Sequence, residues 1–127
     1  MSDKPLAQKL AIKEGYTVLF VNAPRGYRSL LGELPGRVTV LKQPSAPADV
    51  IQVFVSDQKQ LEDELDRLQG TLKPRGIIWV TYHKGTSKTK TDINRDTIAA
   101  YARSISMEGV AMVSVDEDWS AFRLKRV

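Results

Sequence analysis

The chain has 127 residues, 42% of them hydrophobic, with a formal net charge of +4, one histidine and no cysteine. That length suits one domain able to remove roughly two-thirds of its unfolded surface from water. The missing cysteines exclude disulfides, thiolate nucleophiles and cysteine-ligated zinc or iron–sulfur sites. The single histidine excludes a histidine-rich metal site, and the mild basic excess permits phosphate-rich partners while falling well short of a dedicated basic arm.

The opening "MSDKPLAQKLAIKEG" lacks the positive, apolar, small-residue order of a secretory signal, and no apolar stretch approaches the roughly 18 to 20 residues of a membrane span. A cytoplasmic, soluble protein with no membrane partner is therefore expected. Leu6, Ala7, Leu10 and Ala11 predict a short leading helix, with Pro5 in its first turn and Gly15 at its stop. "YTVLFVN", residues 16–22, is too continuously apolar for a half-exposed strand and reads as a central strand covered on both faces. Tyr27, Leu30, Leu31 and Leu34 then form one helical stripe that Pro35 and Gly36 end.

"RVTVL", residues 37–41, is a shorter second strand, followed by the turn-rich "KQPSAPAD". "VIQVFVS", residues 50–56, is the third. Asp57 is placed to cap the next helix, with Gln60 at its third position, and Leu61, Leu65, Leu68 and Leu72 mark the buried face. The fourth strand is "GIIWVTY", residues 76–82. After a long loop, Asp92 or Thr91 caps a helix carrying Ile98, Tyr101, Ala102 and Ile105 on one stripe, which Gly109 releases. "VAMVSVDEDWSAFRLKRV" closes the chain as two strands around "DED", a β-hairpin, because so short a link joins only antiparallel neighbours.

Strands alternating with helices predict a three-layer α/β domain of about six strands, mostly parallel, with a C-terminal antiparallel hairpin. Right-handed crossovers align the loops after the strands along one carboxyl edge, where open α/β sheets bind ligands. That edge carries "NAPRGY", "KQPSAPAD", the segment after Ser56 and the loop "HKGTSKTKTD".

The loop has the chemistry of an anion site. Lys84, Lys88 and Lys90 supply charge, Thr86, Ser87 and Thr89 supply hydroxyl donors, and the amides opening the next helix add a favourable dipole end. Asp92, as the cap of that helix, would oppose an anion. A solvated turn is the plainer reading of the same residues, set against a length greater than that of typical connections.

Histidine is a residue type suited to general acid or base work, but His83 has neither a cysteine partner nor a nucleophile-elbow serine, so no catalytic residue is assigned. Asn22 and Arg25 stand in the first carboxyl-edge loop, where Arg25 can grip a carboxylate or phosphate bidentately; Tyr27 is read as packing. Trp119 is expected to anchor the hairpin, and Asp116, Glu117 and Asp118 to be solvated, since no ligand ladder for a cation accompanies them. Nucleic acid is a lesser alternative: Arg123 and Lys125 share one face of an edge or surface strand, yet no recognition motif is present.

"ADVIQVFVSD", a leucine-striped helix, "LKPRGIIWV", another helix and a hairpin ending in "DWSAFRLKRV" together resemble the second half of S-adenosylmethionine-dependent methyltransferases of the Rossmann-like class, over roughly residues 48–127. "GYTVLFVNAPRGYRSLLGELP", "GIIWVTYHKG" with a downstream "TD", and "VDEDWSAFRL" are similar to a family of short bacterial proteins of unknown function, themselves similar to truncated methyltransferases; Lys84 matches that family's lysine after the strand. The resemblance implies a Rossmann-like fold and brings no established activity.

The methyltransferase pattern needs glycines after the first strand and an acidic residue after the second. Here the first turn has Gly26 alone, Pro24 lacks an amide donor, and Lys42 stands after the second strand. No cofactor is therefore expected. The expectation is a noncatalytic module for an anionic small molecule or acidic protein surface, with Asn22, Arg25, Lys42, His83, Lys84, Lys88 and Asp92 as candidate ligand-binding residues. A minimal methyltransferase with an unconventional first loop is the alternative, and an exposed sheet edge allows a homodimer.

Overall fold

The computed structural model describes residues 5–85 and 91–127. A short helix α1 (Leu6–Lys9) precedes β1 (Thr17–Val21), α2 (Tyr27–Leu31), β2 (Thr39–Leu41), β3 (Ala48–Phe54) and α3 (Gln58–Leu68). After a 3-10 turn at Gln69–Thr71 come β4 (Leu72–His83), α4 (Arg95–Ser104), β5 (Met107–Ser114) and β6 (Trp119–Arg126). The strands form one six-stranded sheet in the order β2-β1-β3-β4-β6-β5. β2, β1, β3 and β4 run parallel, and β6 is antiparallel to both β4 and β5. No helix among the described residues is long and apolar enough to cross a membrane.

The two-residue period of the strands splits the core into two layers. Val18, Val50, Phe54, Trp79 and Ala121 pack on one face with Ala7, Leu10, Tyr27 and Leu31 from the α1 and α2 region. Leu19, Val21, Ile51, Val53, Ile78 and Val80 point to the other, against Leu61, Leu65 and Leu68 of α3 and Ile98 and Ala102 of α4. Apolar side chains on both faces explain why β1, β3 and β4 read as continuous runs.

Several local expectations need correction. The stripe Tyr27, Leu30, Leu31, Leu34 overstates α2: Gly32 adopts φ 82° at the C-cap and stops the helix after five residues, leaving Leu30 45% exposed. Leu72 is buried as expected, but as the first residue of β4 and not the last of α3. α4 is capped by Asn94, in a reciprocal capping box with Thr97, and not by Asp92 or Thr91. Gly109 does not release α4. It lies within β5, where a Cβ would stand 2.1 Å from Phe122 Cζ; Ser106, at φ 63°, makes the turn out of the helix. β6, which carries Arg123 and Lys125, is an interior strand, and the edge on that side is β5.

Candidate functional site at the carboxyl edge

β1 lies between β2 and β3, so the chain leaves it first to one side and then returns to the other. α2 follows β1 onto one face and α3 follows β3 onto the opposite face. Connections that diverge in this way open a crevice at the carboxyl ends of the strands. In this protein a groove of about 370 Å³ lies to one side of that point, between α2 and the ends of β1 and β2, with no β3 residue in its lining. Phe20, Pro24, Val40 and Leu41 give it apolar walls, Tyr27 and Ser29 contribute from α2, and Arg28 and Lys42 provide its cations.

Tyr27 is almost completely buried behind this groove. Its hydroxyl donates to Gln52 Oε1 at 2.5 Å, and Gln52 Nε2 donates to Thr81 Oγ1 at 3.0 Å. Gln52 and Thr81 are the buried polar residues of the described sheet, and the relay satisfies both inside an apolar layer. Burial pushes the Tyr27 hydroxyl well above the usual tyrosine range, against the lowering effect of its bond to Gln52.

From Tyr27 an aromatic chain crosses the edge. Phe20 meets Tyr27 at 5.8 Å between ring centroids, Tyr27 meets Phe54 at 4.9 Å, and Phe54 meets Trp119 at 5.1 Å, all edge-to-face. Trp119 then stacks on His83 at 4.0 Å. Trp119 is thus a hairpin anchor, held where the first pair of β6 joins the end of β4.

The candidate residues share the edge without sharing one pocket. Asn22, at φ 59°, turns its amide to α3, donating to Glu64 Oε2 at 2.7 Å and Phe54 O at 3.4 Å; Glu64 also holds Arg67 at 2.6 Å. It braces β1 against α3. Arg25 is exposed and lies outside the groove lining, which Lys42 enters.

His83 is half-buried against Trp119, and its Nδ1 is enclosed without a hydrogen-bond partner among the described residues. Lys84 Nζ donates to Ser114 Oγ at 2.7 Å and its amide to Asp118 O at 2.8 Å, which turns it toward the hairpin. Asp92 accepts from the Gln58 amide at 2.8 Å, so it serves the start of α3. Lys88 and Lys90 lie outside the described residues.

Asp116 Oδ1 accepts from the amides of Asp118 and Trp119 at 2.8 and 2.9 Å and organises the hairpin turn. No group of three histidine or carboxylate side chains able to hold a metal occurs among the described residues. Arg28, Phe20 and Leu41 were not singled out from sequence. The alternation that places Phe20 on the same face as Val18 was a usable signal for one of them; Arg28 carried none.

No family model matches the chain, and no curated protein matches it by sequence. Solved structures do. A ribosomal protein L11 methylase from Lactobacillus delbrueckii subsp. bulgaricus superposes with a TM-score of 0.62 at 11% identity, over 94% of this chain and 73% of that one. A complex of DhpI with SAH gives 0.66 at 10% identity, over 96% and 82%. A SAM-dependent methyltransferase from Aquifex aeolicus gives 0.62 at 16% identity, over 94% and 87%. The likeness is one of fold. The chain has a Rossmann-like, methyltransferase-like α/β architecture, its sheet mostly parallel with an antiparallel part at β4, β6 and β5.

The residues present do not fit the conventional cradle for an adenosyl cofactor. Lys42 lines the groove at the position after β2 where the conventional pattern calls for an acidic residue, and Pro24 in the same lining has no amide to donate.

Proposed function

We propose that this protein is a noncatalytic binding module on a methyltransferase-like scaffold, which takes an anionic small molecule or an acidic partner surface at its carboxyl edge. The observation that carries this reading is the groove beside β1 and β2, apolar along its walls and with Arg28 and Lys42 in its lining. Such a lining suits a ligand with an apolar body and a negative group. An arginine beside a lysine offers both bidentate and point-charge pairing to carboxylate or phosphate. His83 and Lys84 stand elsewhere on the same edge, where the lysine would extend the basic surface offered to a larger partner, whereas the Asp92 carboxylate is engaged by the Gln58 amide.

A second reading, a minimal methyltransferase with an unconventional first loop, is favoured by the structural neighbours, among them a SAM-dependent methyltransferase and a complex with SAH. Calorimetric titration of the purified protein with S-adenosylmethionine and S-adenosylhomocysteine separates the two. The binding-module reading expects no heat of binding from either. Saturable binding in the micromolar range, abolished by closing the groove with Ser29→Trp, would establish the second reading in its place.

A further inference from the structure

At the opposite, amino edge of the sheet two adjoining cavities of about 210 and 470 Å³ share Tyr16, Asp49 and Arg75 in their walls. The smaller one also takes Lys13 and Arg123, and the larger takes Lys73 and Pro74. Asp49 is the sole acid in either lining, and it is already engaged: its Oδ2 accepts from the Thr17 amide at 2.8 Å and from Lys73 Nζ at 3.1 Å. Lys13, Arg75 and Arg123 remain. None has an ion-pair partner among the described residues, and Arg123 Nε is buried with no acceptor.

Buried donors in folded proteins find acceptors, and a charged donor needs one most. Arg123 comes from the interior strand β6, paired between Trp79 and Ala111. Its backbone is therefore fixed by the sheet, and its Nε is held out of solvent. Lys13 and Arg75 are exposed and approach the same space from the segment after α1 and from the start of β4. With Asp49 neutralised by Lys73, the smaller cavity carries an excess of three positive charges.

We infer that this cavity is a second ligand site, for a small phosphomonoester, distinct from the carboxyl-edge groove and independent of it. The phosphate occupies the smaller cavity, where the forked donors of Arg123 and Arg75 match its oxygens and Lys13 adds a point charge. The organic part of the ester lies in the larger cavity, against the ring of Tyr16 and Pro74.

The test is side-chain NMR of the arginine Nε–H groups of the intact chain, titrated with inorganic phosphate, with phenyl phosphate, and with chloride at matched ionic strength. The Arg123 Nε–H resonance is expected to shift saturably with both phosphates and not with chloride. Arg75→Gln and Lys13→Gln, both at exposed positions that leave the core intact, are each expected to weaken that response by roughly fivefold or more, while Lys59→Gln on the surface of α3 leaves it unchanged.

An equal response to chloride, or variants that bind phosphate as the parent does, would overturn the site. Saturation by inorganic phosphate without any by phenyl phosphate would mean an adventitious ion only. A response to a single-stranded oligonucleotide with none to either phosphate would reassign the cations to a polyanion surface and overturn the small-ligand assignment. The readout is local to Arg123, so its failure says nothing of the groove, and failure of the groove says nothing of it.

Discussion

Gln52 sits fully buried in the middle of β3, with the Tyr27 hydroxyl on its carbonyl oxygen and the Thr81 hydroxyl under its amide nitrogen. Gln52→Leu would remove both partners' acceptor or donor at once while keeping the volume. Stranding buried hydroxyls costs the desolvation of each, so a loss of about 2–3 kcal/mol is expected in denaturant unfolding. Replacing the whole relay, with Tyr27→Phe, Gln52→Leu and Thr81→Val together, is expected to recover most of that loss, because no polar group is then left unpaired. A single variant as stable as the parent would mean that water already enters the relay. None of this was legible in "VIQVFVS": the run has the composition of a buried strand, and only the three-dimensional meeting of β3, β4 and α2 explains a glutamine inside it. Gly109 is similar. Its spacing after α4 suggested a stop signal, whereas its role is to leave room for the Phe122 ring.

At the scale of elements, the start of α3 draws on two parts of the chain. Asp57 caps it from within, accepting from the Gln60 amide at 2.8 Å, and Gln60 Oε1 in turn accepts from the Ser56 amide at 2.7 Å. The second part comes from the end of the long loop: Asp92 accepts from the Gln58 amide at 2.8 Å, and Thr91 Oγ1 donates to Ser56 O at 2.5 Å. Two carboxylates therefore meet the positive end of one helix dipole, and α4 has its own capping box at Asn94. Asp92→Ala and Asn94→Ala are each expected to cost about 1 kcal/mol, with different signatures in hydrogen exchange. The first raises exchange at Gln58, on α3, and the second at Thr97, on α4. Equal protection at Gln58 in the parent and Asp92→Ala would remove the cross-link. The sequence signal for Asp57 and Gln60 was local and could be read. Asp92 acts across 34 positions, so its neighbours in the chain pointed to the wrong helix. The same distinction separates β1, β3 and β4, whose apolar runs were readable, from α2, whose leucine stripe continued past the glycine that ends it.

For the molecule as a whole, the sheet order assigns the two edges different chemistry. Four parallel strands collect their following loops at one end, which the alternation of strands and helices had indicated. The amino edge went unread because its cations come from segments as distant as Lys13, Arg75 and Arg123. The tyrosines couple this packing to pH. Tyr101 donates its hydroxyl to Asp66, and this bond first, then burial and the neighbouring carboxylates, pushes its pKa up to about 12. Tyr27 and Tyr82 are raised too, chiefly by burial. An unfolded tyrosine ionises near pH 10, so the folded state keeps protons that the unfolded state has released. The sign follows: the contribution is fully present below about pH 10 and is lost as pH rises toward the folded values. Unfolding midpoints measured between about pH 8 and pH 11.5 should therefore decline on the alkaline side, and Tyr101→Phe, which cannot ionise, should decline less steeply than the parent. Parallel declines in the two proteins would show that the Tyr101 bond to Asp66 does not persist in solution.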